Sequence, residues 1–254
     1  MVTRPDRVIL LKVPIDIVSP EELPDVISGL MLSDKESGEV PRGQDIILIS
    51  LWDLLRARRN REYRDFVFKA ALVIPISKSL VSGARFLTGR KLYRYMPFNF
   101  VISFLSLLEK WEYPLYLLGG KKRILKKAEK NIHRTFPHLK IVGRCEGRIK
   151  KQGEPAVMEA IRKSSPSLLL AGKGIRGGEL WIPRNTKRIN SGFRLWCSDL
   201  FEVFAEKKRR PSDAVFNRGL ECVGYCFRNP LKFFRILPYL YYKLLLLYSK
   251  IANK

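Results

Sequence analysis

Tyr113-Pro114-Leu115-Tyr116-Leu117-Leu118-Gly119-Gly120 decides how the rest of the chain is read. A short apolar run between a proline and two glycines fits a strand buried on both faces. The glycines supply a turn into the next segment. That segment, Lys122 to Phe136, reads as a basic helix. Leu139-Lys140-Ile141-Val142-Gly143 then reads as the next strand. Strand, glycine turn, helix and strand in this order are the unit of a parallel sheet.

The same alternation extends in both directions. Upstream, Arg7 to Val13 reads as one strand, and Ser19-Pro20-Glu21-Glu22 starts a helix that runs to about Met31. Asp34 to Gln44 is polar and reads as a loop. Asp45 to Ile49 is a buried strand, followed by one basic helix from Trp52 to about Ala70. Leu72-Val73-Ile74-Pro75 is a strand, and Ser79–Leu87 and Phe98–Trp111 are helices. Downstream, Pro155–Lys163 is helical and Ser167 to Gly172 is a strand ending in glycine. The predicted fold is α/β and Rossmann-like: a mainly parallel sheet with flanking helices over residues 1–206, and a C-terminal appendage over 207–254. Ligands of such sheets bind beyond the strand C-termini, where turns feed helices. Gly119, Gly120, Gly172 and Gly174 lie at such turns, although a Gly-Gly turn after a strand also has a purely structural reading.

Composition narrows the partners. The 254 residues are 46% hydrophobic, enough for a real core, and carry 48 Lys and Arg against 24 acidic residues, a formal charge of +24. Such an excess points to a polyanion: nucleic acid, anionic lipid headgroups or phosphorylated small molecules. Nucleic acid ranks last, because no helix-turn-helix, zinc finger or RNP-type aromatic pattern is present. The four cysteines form no C-x-x-C pair, and His133 and His138 are the only histidines, so neither a metal site nor a disulfide framework is expected. The N-terminus has no cleavable apolar leader, which predicts a cytoplasmic protein.

The tail changes character. Lys207-Lys208-Arg209-Arg210-Pro211 precedes an aromatic, basic and leucine-rich stretch that ends Tyr239-Leu240-Tyr241-Tyr242-Lys243-Leu244-Leu245-Leu246-Leu247-Tyr248. It is shorter than the roughly 20 apolar residues of a spanning helix. Rings interleaved with cations suit an anionic membrane surface. A helix packed on the domain is the alternative, and self-association through this surface stays open.

In segment order the chain resembles the WecG/TagA/CpsF family of glycosyltransferases. The blocks that carry the resemblance are Val13-Pro14-Ile15-Asp16, Ala57-Arg58-Arg59-Asn60, Leu72-Val73-Ile74-Pro75, Ala84 to Gly89, Leu117-Leu118-Gly119-Gly120, Phe136 to Gly143, Glu179-Leu180-Trp181-Ile182 and Gly219-Leu220-Glu221 followed by Pro230. Each is weak singly, and their order and spacing carry the case. The resemblance implies inverting transfer of a sugar, of the N-acetylmannosamine type, from a UDP-sugar to a sugar on a polyprenyl diphosphate. It implies a peripheral position at the inner face of the cell membrane, and neither metal nor cofactor. It places Arg210, Arg228, Lys232 and Arg235 on the lipid diphosphate, and Ser77, Lys78, Ser79 and Asn99 near substrate. It also exposes a departure. The family's base, an Asp, falls on Ile76, and its assisting Asn falls on Ser50. Isoleucine cannot accept a proton, so Glu179, Asp199 and Glu202 are the candidate substitutes. The alternative is a catalytically inactive relative acting as a membrane-bound scaffold or regulator.

Overall fold

The computed structural model describes residues 5–36, 43–219 and 236–252. Its centre is a six-stranded, all-parallel sheet in the order β4-β3-β8-β7-β5-β6. The strands are β3 (Gln44–Ile49), β4 (Leu72–Pro75), β5 (Leu115–Leu118), β6 (Ile141–Cys145), β7 (Leu168–Ala171) and β8 (Phe193–Trp196). Leu115–Leu118 is buried along its length and pairs with β7 on one side and β6 on the other, as a both-faces-covered strand must.

Helices cover both faces. On one lie α2 (Leu51–Arg59), α3 (Arg61–Lys69), α4 (Lys78–Thr88) and α7 (Glu154–Ser164), whose apolar sides form one core with the upper face of the sheet. On the other lie α1 (Leu23–Glu36), α5 (Pro97–Lys110), α6 (Lys122–Thr135) and α9 (Leu200–Phe204). Two short helices, α8 (Trp181–Asn185) and α10 (Asp213–Arg218), follow, and beyond the undescribed residues 220–235 comes the long helix α11 (Ile236–Ala252).

Four local expectations need correction. The strand expected over Arg7–Val13 is a hairpin of β1 (Arg7–Leu10) and β2 (Val13–Asp16), because Leu11 and Lys12 both take positive φ, +48° and +68°. Buried Asp16 pins it to β4, accepting from Arg7 at 2.6 Å and from the Val73 amide at 2.6 Å. The first helix continues through Asp34 to Glu36, into the expected loop. The single helix expected over Trp52–Ala70 breaks at Asn60. Its amide donates to the Arg56 carbonyl, and its side chain accepts from the Tyr63 amide at 2.8 Å, so one residue closes α2 and opens α3. Finally, β8 was not expected. Its Arg194 interrupts an apolar run, yet the residue is 2% exposed in the middle of the sheet, where Asp45 of β3 accepts from its guanidinium at 2.7 Å.

Candidate active site

Parallel strands all deliver their C-termini to one edge, and the two halves of that edge differ. At the β5–β7 half, the glycines interlock. Gly119 (φ +124°) donates to the Cys145 carbonyl at 2.8 Å, Gly120 to Lys173 at 2.5 Å and Gly172 to Leu118 at 2.7 Å. A Cβ on Gly119 would sit 2.7 Å from the Gly172 carbonyl oxygen. These amides already have carbonyl partners, so the turns hold strands together. Gly174 (φ +95°) lies in the same packed turn, close to Gly147.

At the β3–β4 half, the strand ends carry polar side chains. Ser50 caps α2 in a reciprocal box: its amide and hydroxyl donate to Asp53 Oδ2 at 2.8 and 2.5 Å. Ser77 accepts the Leu51 amide at 3.2 Å, which ties the two strand ends together. Ile76 is half-buried against the lower core, and its amide donates to Ile49. The Ser79 carbonyl accepts from the Tyr242 hydroxyl of α11 at 2.9 Å. The Lys78 ammonium donates to the Asn217 and Arg218 carbonyls, at the C-terminus of α10. Arg94 donates to the Ile76 carbonyl at 2.9 Å and to Phe216. Residues 207–219 therefore cross the mouth of the sheet as a strap, held at Ile76 and Lys78 at one end. At the other end Arg210 donates to Asn99 Oδ1 at 3.0 Å. Arg210 and Asn99 line a cavity of about 910 Å³ between α5, α6 and α9, with Arg134, Lys208 and Arg209.

Above the Ser50 cap lies a group of residues that sequence reasoning only partly found. Glu179, after β7, is nearly buried, with Arg56 of α2 at 3.5 Å. The Arg56 guanidinium stacks 4.2 Å over the ring of buried Tyr63. Burial, and then the charge of Asp53, push the Glu179 carboxyl up to about 8, against the opposing pull of Tyr63 and Arg56. Burial also raises Asp53, against its hydrogen bonds from Ser50. Glu179 therefore holds its proton near neutrality, its ionised form disfavoured by burial and by the Asp53 charge. Only the Ser50-x-x-Asp53 capping pattern marks this place locally, and nothing in the sequence joins it to Glu179.

The other two candidate carboxylates sit elsewhere. Burial opposes ionisation of Asp199, but ion pairs with Lys208 and Lys173 outweigh it and hold its carboxyl below the usual range. A carboxylate so held is a weak base. Glu202, on α9, has a buried Oε2 with no hydrogen-bond partner. Arg228, Lys232 and Arg235 lie outside the described residues, as do Cys222 and Cys226.

The family model for the glycosyl transferase WecG/TagA/CpsF family matches residues 8–254. The chain belongs to this family. Among characterised relatives, the N-acetylglucosaminyldiphosphoundecaprenol N-acetyl-beta-D-mannosaminyltransferase of Bacillus subtilis is 22% identical over 181 residues, 71% of this chain and 70% of that one. The enzyme of the same name from Bacillus spizizenii is 22% identical over 182 residues, with the same coverage. Both are transferases, so the relatives lend no support to a non-catalytic scaffold. The chain carries Ile76 and Ser50 at the positions that the resemblance assigns to base and helper.

Proposed function

We propose that the protein transfers N-acetylmannosamine from its UDP-sugar to an N-acetylglucosamine carried on a polyprenyl diphosphate, with Glu179 as the base that replaces the missing Asp. One observation carries this reading: Arg56 both pairs with Glu179 and lines a groove of about 590 Å³ between α2 and α11. The groove leads to the outer face of α11. Leu237, Leu240, Leu244, Leu247, Tyr248 and Ile251 recur there at helical spacing, all more than half exposed. The opposite side of α11 is buried on α4 through Tyr242 and Leu246, where Gly83 leaves room for the Tyr242 hydroxyl. Among the described residues no helix is long and apolar enough to cross a membrane. A helix with one seam on the protein and an opposite apolar face suits the membrane interface at the inner leaflet. A lipid-linked sugar held there lies beside Trp52, Arg59 and Tyr241 and next to Arg56, the partner of Glu179.

The chemistry follows. The acceptor hydroxyl attacks the anomeric carbon of the donor as its proton passes to the Glu179 carboxylate. The bond from that carbon to the diphosphate oxygen breaks, UDP leaves with the electron pair, and a single displacement inverts the centre. A base near 8 is well matched to neutral pH, since it combines driving force with a useful ionised fraction. Burial above all, and then the charge of Asp53, raise that value, Tyr63 and Arg56 oppose the rise, and the Tyr63 ring supports the Arg56 guanidinium. Arg210, held by Asn99 on the strap that crosses the mouth of the sheet, is a cation suited to the departing diphosphate.

Calorimetric titration of the full chain with UDP and a set of UDP-sugars, in the presence of anionic vesicles, tests the donor half of this reading. Saturable binding that favours UDP-N-acetylmannosamine is expected. Absence of binding to every UDP-sugar would overturn it.

A further inference from the structure

The far edge of the sheet carries a second surface that the transferase chemistry does not use. β6 is an edge strand: among the described residues it pairs with β5 alone. Its outer side therefore offers unpaired backbone groups to any extended chain laid beside it. Along that edge, the flank of α6 and β6 enclose a groove of about 660 Å³. Leu139 and Ile141 form its apolar floor, and Arg123, Lys126, Lys130 and His133 of α6 line its wall.

Most of the charge of this wall is uncompensated. Glu129, the one acidic residue in the lining, is taken by Arg144 of β6. Lys127, also in the lining, pairs with Glu206, while Arg123, Lys126 and Lys130 have no carboxylate partner among the described residues. Lys122 and Arg123 also stand in the first turn of α6, which has no side-chain cap, where the helix dipole disfavours cations. A bound anion relieves both conflicts.

We propose that this groove binds an extended, acidic segment of a partner protein, which adds to β6 as a seventh strand and sets its carboxylates against α6. The alternatives fit less well. The lining holds no Phe, Tyr or Trp on which a nucleic-acid base could stack. A membrane is met by α11, which packs on the opposite face of the sheet near the opposite edge. A second copy of this chain, itself +24, would bring like charge to like. α6 has 14 residues, a length of about 21 Å, which matches a strand of roughly six residues. The inference stands whether or not the transferase reading holds.

The probe is a fluorescein-labelled peptide of alternating glutamate and valine, titrated into the full chain and followed by anisotropy and by hydrogen exchange of the β6 amides. Saturable binding with slowed exchange over Val142–Cys145 is expected. The variant Lys126→Glu/Lys130→Glu, at two exposed sites that leave the core untouched, should lose affinity by roughly tenfold or more while UDP-sugar binding is unchanged. Equal binding of a peptide with proline at every second position would overturn strand addition. Unchanged β6 exchange, or tighter binding of a single-stranded oligonucleotide or of anionic vesicles at this groove, would overturn it as well.

Discussion

The β5–β7 half and the β3–β4 half of the sheet's C-terminal edge look interchangeable in topology and differ in what they do. In the first, the amides of Gly119, Gly120 and Gly172 donate to neighbouring carbonyls and so tie strand ends together. The second is built from capping side chains and a largely buried carboxyl pair, so its charge state responds to its surroundings. The difference teaches that a glycine turn after a parallel strand is not evidence of a phosphate site until its N–H groups are counted. On this account chemistry sits where polar groups are held in low dielectric without full compensation, here at Glu179.

The largest effect should come from that side. Glu179→Gln is expected to lower the transfer rate about 10²–10⁴-fold with donor affinity little changed, measured by initial rates and calorimetry. An unchanged rate would move the base elsewhere. In the wild type, the rate should climb with pH up to about 8 and then level, since the ionised carboxylate is the active form. The same group has a thermodynamic signature. Its folded value lies above its ordinary 4.5, so between 4.5 and about 8 the folded state holds a proton that the unfolded chain has lost. Stability from this group is therefore full below 4.5 and falls as pH rises through that window. Glu179→Gln should flatten that slope in denaturant titrations.

The next effect tests α11. Leu244→Glu/Leu247→Glu, both exposed, should weaken binding to anionic vesicles by roughly tenfold or more without lowering the melting temperature. Retained vesicle binding would return α11 to the role of a helix that only packs on the domain. On the β5–β7 half of the edge, Gly119→Ala should cost about 1–3 kcal/mol of stability, because it forces φ +124° and a clash with Gly172. Folded Gly119→Ala should still bind donor normally, and a selective loss of donor binding would make the glycine turn a site after all. Smallest is Lys78→Ala, expected to loosen the strap by about 0.5–1 kcal/mol, visible as faster exchange of the α10 amides.

Much of the fold was legible because buried parallel strands are short apolar runs between glycines and prolines, as at Leu115–Leu118 and Leu168–Ala171. β8 was hidden by Arg194, whose burial is made tolerable only by Asp45 from a distant strand. The Asn60 break was hidden because one side chain serves two helices. The site was less legible. Resemblance located the positions at Ser50 and Ile76 but could not supply what replaced them. Glu179 stood out as a retained acid, whereas its partners Asp53, Arg56 and Tyr63 read locally as ordinary helix residues. Their chemistry comes from burial and mutual distance, which are properties of the packed chain alone.

The most direct test is a transfer assay with the purified full chain, UDP-N-acetylmannosamine and polyprenyl-diphosphate-linked N-acetylglucosamine in anionic vesicles, run on wild type and Glu179→Gln side by side. The account predicts a lipid-linked disaccharide from the wild type and a loss of about 10²–10⁴-fold in the variant. No product from wild type with bound donor and acceptor, or equal product from both proteins, would contradict it.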